Sequence, residues 1–194
     1  MPRVKLFNKD DVLQKAMELF WRKGFHATSM QDLVSHLGIN RGSLYDTFGN
    51  KQALFEEAFD LYQASTRKAL LEFLDQYDSV KEGFYKLFER AIDTIVQDKD
   101  SKGCFVVNVI TELIPGCQEA VLSLVESNQK TVKKAFQDYL QKGVEHGEIA
   151  PEKDLAAIAS LLFTMYNGIN VVAKVNSNRN ELDEMVKMTL SVLD

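Results

Sequence analysis

A chain of 194 residues, 45% of them hydrophobic, is long enough to bury a core of its own in one or two compact domains. No run approaches the roughly 18 consecutive apolar residues of a membrane span, and the N-terminus lacks the apolar stretch of a secretory signal, so the expectation is a cytoplasmic protein. The net charge of −5 is divided unevenly, because residues 1–50 hold seven Lys and Arg against five Asp and Glu, which leaves −7 on the remainder. Ordinary scatter also yields such differences, but a mildly basic head on an acidic body fits a protein whose first quarter alone meets a polyanion.

The first predicted helix starts at Asn8 and Asp11, two capping residue types, and places Val12, Leu13, Ala16, Leu19 and Phe20 on one apolar face. For the second, Thr28 stands as cap with Gln31 three residues on, and Met30, Leu33, Val34 and Leu37 follow the spacing of one buried face. Gly38 supplies the left-handed residue that ends it. The third helix follows at once, with Asn40 as cap and Ile39 placed to pack on Leu44 as a hydrophobic staple. Two short helices joined by a tight glycine turn make a helix-turn-helix.

The buried face of the third helix needs only Leu44 and Phe48, so Arg41, Gly42, Ser43, Tyr45, Asp46 and Thr47 are left to the outside and flanks. Any one of them alone is equally well a solvated surface residue. Together they carry DNA-contact chemistry. Arg41 can fork onto a guanine edge or a phosphate, Ser43 and Thr47 can bond either, Tyr45 can donate to a phosphate, and Gly42 lets the backbone approach a groove. Lys51 sits at the expected start of a fourth helix, where the positive helix end disfavours a cation unless an anion is near. A phosphate would supply that anion.

From about Asp10 to Phe55 the chain resembles the TetR family of bacterial transcriptional regulators. The resemblance rests on Phe20-Trp21-Arg22-Lys23-Gly24-Phe25, Ala27-Thr28-Ser29, Leu37-Gly38-Ile39, Gly42-Ser43-Leu44-Tyr45, Phe48, Lys51 and Leu54-Phe55 in that order. It implies that Thr28 and Tyr45 hold phosphates, that Lys51 anchors the DNA backbone, and that Arg41, Gly42, Ser43 and Thr47 lie on the groove side. Asp46 and Thr47 depart from the aromatic or histidine residues common there, so the operator contacts at those two positions differ from the family's usual ones. An Asp can accept from a cytosine amino group but repels phosphates.

Beyond Lys51, helices are expected near 51–74, 79–97, 103–114, 117–146, 152–175 and 179–193, with breaks at polar, Gly and Pro clusters. The run 105–110 is rich in β-branched residues, yet no second strand is available to pair with it, so an all-round buried helix is expected. The fold class is all-α: a helix-turn-helix domain over 1–51 and a larger helical effector-binding and dimerisation domain over 52–194.

Leu155, Ile158, Leu162 and Ile169 form a long apolar stripe, and Leu182, Met185 and Val186 a second. Either can be monomer core, but two-fold operators are read by paired helices one turn apart, about 34 to 36 Å. The resemblance implies a dimer through these last two helices. Phe84, Phe88, Asn108, Phe163, Tyr166 and Asn167 combine aromatic walls with polar groups, as a small-molecule pocket does, although aromatics at helical spacing are more often plain core. Cys104 and Cys117 both stand at expected helix starts, where a thiol pKa can fall; an inert buried cysteine is the commoner outcome. By resemblance only, a Gly-Cys-hydrophobic helix start adds Cys104 to the pocket as an electrophile-responsive residue. The cysteines and three histidines lack metal-site spacing, so neither metal nor cofactor is expected.

Three readings from different classes follow. A homodimeric repressor bound to a palindromic double-stranded operator and released by a small-molecule or electrophilic effector is the first, with an effector-dependent activator as its variant. An enzyme is disfavoured, for the sequence has no nucleophile motif and no phosphate loop. A helical protein-interaction module that uses its helix-turn-helix only for packing is the third.

Overall fold

The computed structural model describes residues 7–97, 102–113, 119–175 and 178–194, and every regular element among them is helical. In chain order these are α1 (Lys9–Lys23), α2 (Met30–Leu37), α3 (Arg41–Phe48), α4 (Lys51–Leu74), α5 (Val80–Gln97), α6 (Phe105–Leu113), α7 (Glu119–Glu145), α8 (Leu155–Val172) and α9 (Arg179–Leu190), then one turn of 3-10 helix at Ser191–Leu193. The all-α class is as expected. The run 105–110 is helical because Phe105, Val106, Val107 and Val109 are all buried, so packing outweighs their strand propensity. Cys117 and the Pro115-Gly116 break lie outside the described residues.

The chain divides into two compact units, residues 1–65 with 108–124 and residues 66–107 with 125–194. The boundary expected at 51–52 falls inside the first unit, to which the end of α6 also belongs.

In the first unit, each short helix is fixed by a side-chain cap. Asn8 accepts from the Asp10 and Asp11 N–H groups at 2.8 and 3.4 Å, which puts Asp11 inside the first turn of α1 and not at its cap. Asn40 accepts from Ser43 N–H at 2.8 Å, and Asn50 from Ala53 N–H at 2.8 Å, so α3 and α4 start where expected. Gly38, at φ 67°, closes α2 in the left-handed region. The α2 cap is one residue later than expected: Ser29 Oγ accepts from Asp32 N–H at 3.1 Å, and the Asp32 carboxylate accepts from Ser29 N–H at 2.8 Å. An aromatic core lies beneath, with Phe55 5.2 Å from Phe20, 5.0 Å from Phe25 and 5.9 Å from Phe59 between ring centres.

In the second unit α5 packs against α8 and α9. Phe84 meets Phe136 and Tyr139 edge-on at 5.1 and 5.5 Å, in a core that also takes Leu162, Ile169, Leu182 and Val186. Glu148, beyond the end of α7, caps α5 from a distance: its carboxylate accepts from Val80 N–H at 2.7 Å, Lys81 N–H at 2.8 Å and Ser79 Oγ at 2.7 Å. Helix α8 is long and apolar enough by length and composition to cross a membrane, with a mean hydropathy of 1.6 over 18 residues. It reaches this although Ser160, Thr164, Asn167 and Asn170 interrupt its apolar runs, and it packs on α5 and α9.

Candidate DNA-contact surface

Helix α3 buries only Leu44 and Phe48, the two residues expected to hold it. Arg41, Gly42, Tyr45 and Asp46 are exposed, and Ser43 and Thr47 are half-buried on the flanks. Arg41 Nη2 donates to Tyr45 Oη at 3.4 Å across one turn, so a guanidinium and a phenol share one outward patch. A helix face with these donors, few constraints from the core and no side chain at Gly42 can lie against a groove.

Thr28 does not join that surface with its side chain. It is fully buried, and its hydroxyl donates to the Gly24 carbonyl at 2.5 Å. The inward turn of Thr28 is also why Ser29 takes over as cap. The exposed hydroxyl at the start of α2 is therefore Ser29, which also donates to Asp32 at 2.5 Å. Asp32 in turn pairs with Lys23 at 2.7 Å, tying the end of α1 to the start of α2. The Lys23 ammonium, the Ser29 hydroxyl and the Ser29 N–H together hold the Asp32 carboxyl far below the usual carboxylate range.

Lys51 opens α4 as expected, with its ammonium 4.3 Å from the centre of the Phe25 ring. Burial lowers its pKa, and the fields of Glu112 and Asp32 oppose that shift without cancelling it. The anion demanded by a cation at a helix start is thus partly supplied by the protein itself.

The other site residues are distributed as follows. Phe84, Phe88 and Phe163 are buried in the second unit, and Phe84 is packed tightly against its aromatic neighbours. Tyr166 lies 6.2 Å from Phe88, and burial followed by the field of Cys104 pushes its phenol up to about 12. Asn167 donates back to the Phe163 carbonyl at 2.8 Å, and Cys104 is half-buried. Asn108 belongs to the first unit. A groove of about 570 Å³ opens elsewhere in the second unit, over Leu71, Leu74, Ala135 and Tyr139 with Lys130 and Lys142 at its edge.

The stripes expected to pair two chains lie on α8 and α9. Ile158, Leu162, Ile169, Leu182 and Val186 are buried in the unit's own core, while Leu155 and Met185 are half-buried at its margin. The large apolar residues left exposed on these helices are Leu161, Val171, Val172 and Met188. Sequence reasoning also missed Glu112, whose carboxylate accepts from Phe25 N–H at 3.1 Å and His26 N–H at 2.8 Å.

The family model for bacterial regulatory proteins of the tetR family matches residues 12–58, and that for the tetracyclin repressor-like C-terminal domain matches residues 82–189. The chain is 35% identical to an uncharacterized HTH-type transcriptional regulator of Bacillus subtilis, YezE, over 100% of both chains. It is 29% identical to the HTH-type transcriptional repressor ComR of Escherichia coli, over 97% of this chain and 90% of that one. A cysteine mutant of the TetR family regulator CifR, solved with 26-bp operator DNA, superposes with a TM-score of 0.84 at 27% identity, covering 99% of this chain and 100% of the other. With a caped and glycine-broken helix-turn-helix in place and the C-terminal match alone spanning more than half of the chain, this protein belongs to the TetR family of DNA-binding transcriptional regulators.

Proposed function

We propose that this regulator is a homodimeric repressor that grips a palindromic operator through α3 and releases it when a small molecule or an electrophile binds its second unit. The observation that carries the reading is the outward face of α3, where Arg41, Gly42 and Tyr45 are exposed with Ser43 and Thr47 beside them, above a core that needs none of these residues. Phosphate contacts come from Tyr45, Ser29 and Lys51, and base contacts from Arg41, Ser43 and Thr47.

Pairing of two chains is supported by the outer face of α8 and α9. Leu161, Val172 and Met188 are 45%, 42% and 76% exposed, and Met165, Met185 and Met188 line an apolar groove of about 620 Å³. Exposed apolar surface of this kind is covered by a second copy in a two-fold dimer. Effector release is supported by the groove over Leu71 and Tyr139 and by the half-buried thiol of Cys104 beside Tyr166. Repression, in place of activation, follows the E. coli relative named a repressor.

The test is selection of genomic duplexes by the purified chain. Enrichment of fragments sharing a two-fold sequence, bound by two chains per duplex, supports the reading. Binding without any shared sequence, or none at all, contradicts it.

A further inference from the structure

Glu112 lies near the end of α6, far in sequence from the helix-turn-helix, yet its carboxylate sits on the turn between α1 and α2. Oε2 accepts from Phe25 N–H at 3.1 Å and Oε1 from His26 N–H at 2.8 Å. Two backbone donors on one ionised carboxylate make a charge-assisted pair, stronger than neutral hydrogen bonds. The turn is shaped to receive it. Gly24 adopts φ +82°, and a Cβ there would stand 2.8 Å from Glu112 Oε2 and 3.0 Å from Oε1, so any side chain would displace the carboxylate.

The held turn determines two parts of the DNA-contact surface. It leads through Thr28, itself bonded back to the Gly24 carbonyl, into the Ser29 cap of α2, and so fixes where the helix-turn-helix begins. Its Phe25 ring is also the platform under the Lys51 ammonium, 4.3 Å away, and Glu112 acts on the charge of that same lysine.

We propose that Glu112 is a positioning residue for DNA binding, which holds the α1–α2 turn by two backbone bonds and so sets the Phe25 ring under the Lys51 ammonium. The proposal rests on the DNA-binding reading above. Glu112 touches no phosphate; it acts through Phe25, His26 and Lys51.

The experiment uses the full chain and a mixed-sequence duplex of about 30 bp at low salt, where phosphate contacts dominate binding. Glu112→Ala should weaken binding about tenfold, while circular dichroism keeps the wild-type helix content. Glu112→Gln, which retains one acceptor oxygen, should lie between the two. Gly24→Ala, which fills the carboxylate's seat, should reproduce the loss and serves if Glu112→Ala does not fold.

Two readouts separate positioning from general stability. Amide exchange at Phe25 and His26 should rise about tenfold in Glu112→Ala while Leu33 and Leu44 keep their protection. In a Lys51→Ala background, Glu112→Ala should cost clearly less than its roughly tenfold effect alone, because part of that effect runs through Lys51. Failure of the unaltered chain to bind duplex would remove the DNA-binding reading and this proposal with it. Wild-type binding that drops in Lys51→Ala but not in Glu112→Ala or Gly24→Ala overturns the positioning role alone, as does full additivity of the two losses.

Discussion

Arg41 and Tyr45 lean on each other across one turn of α3, with the guanidinium carbon 5.7 Å from the ring centre and Nη2 3.4 Å from the phenol oxygen. An arginine braced on an aromatic loses less freedom when it meets a base edge, because its fork is already oriented. Arg41→Ala is expected to cost about 1 to 3 kcal/mol on the selected operator and much less on unrelated duplex, the pattern of a lost guanine contact. Lys51→Ala should instead weaken all duplexes about equally and reduce the salt slope by roughly two units, about one for each chain of the dimer. Gel shifts across operator variants and salt separate them; unchanged affinity in both would remove α3 and its flank from the groove.

Adjacent residues on α8 should behave in opposite ways. Leu161 is 45% exposed and Leu162 is fully buried. Leu161→Glu is expected to yield a folded monomer in sedimentation, with weak operator affinity, because a charge in an apolar interface has no partner. Leu162→Glu should fail to fold, since it places that charge inside the second unit's core. A folded, dimeric Leu161→Glu would move the interface off this face.

Acid should loosen the α5 cap. Burial raises the Glu148 pKa, but the bonds from Ser79, Lys81 and Val80 outweigh it and hold the group below its ordinary 4.5. A depressed folded pKa contributes stability that is fully present above 4.5 and is lost as pH falls through the folded value. Melting temperatures of wild type and Glu148→Gln should therefore differ most from neutral pH down to about 5 and converge below the ordinary carboxylate range. Parallel curves throughout would show that the ionised carboxylate contributes nothing.

Cys104 separates two kinds of signal. If an electrophile releases DNA through this thiol, Cys104→Ser should bind operator normally yet stay bound after treatment with N-ethylmaleimide. Normal release from that variant would exclude Cys104 and leave Cys117 or a non-covalent site. In either case a true effector must bind the free protein more tightly than the DNA complex.

Local signals carried most of the architecture. Caps at Asn8 and Asn40 and the turn at Gly38 gave bounds for the first three helices within a few residues of those observed. At the start of α2 the sequence holds two overlapping boxes, Thr28 with Gln31 and Ser29 with Asp32, and only the burial of Thr28 decides between them. Apolar periodicity on α8 found the face that packs inward, Ile158, Leu162 and Ile169, and passed over the outer face with Leu161 and Val172 because both are apolar. Glu112 left no local trace, since its partners are 86 and 87 residues away.

The central claim, that α3 and Lys51 bring this chain to DNA through phosphates, is tested most directly by fluorescence anisotropy of a labelled, selected duplex titrated with the purified protein across a salt series. The logarithm of the binding constant should fall linearly with the logarithm of salt, by roughly 0.9 per phosphate neutralised, with a slope of several units for the wild type and about one unit less per Lys51 removed. A flat salt dependence, or a slope that Lys51→Ala leaves unchanged, would contradict the account.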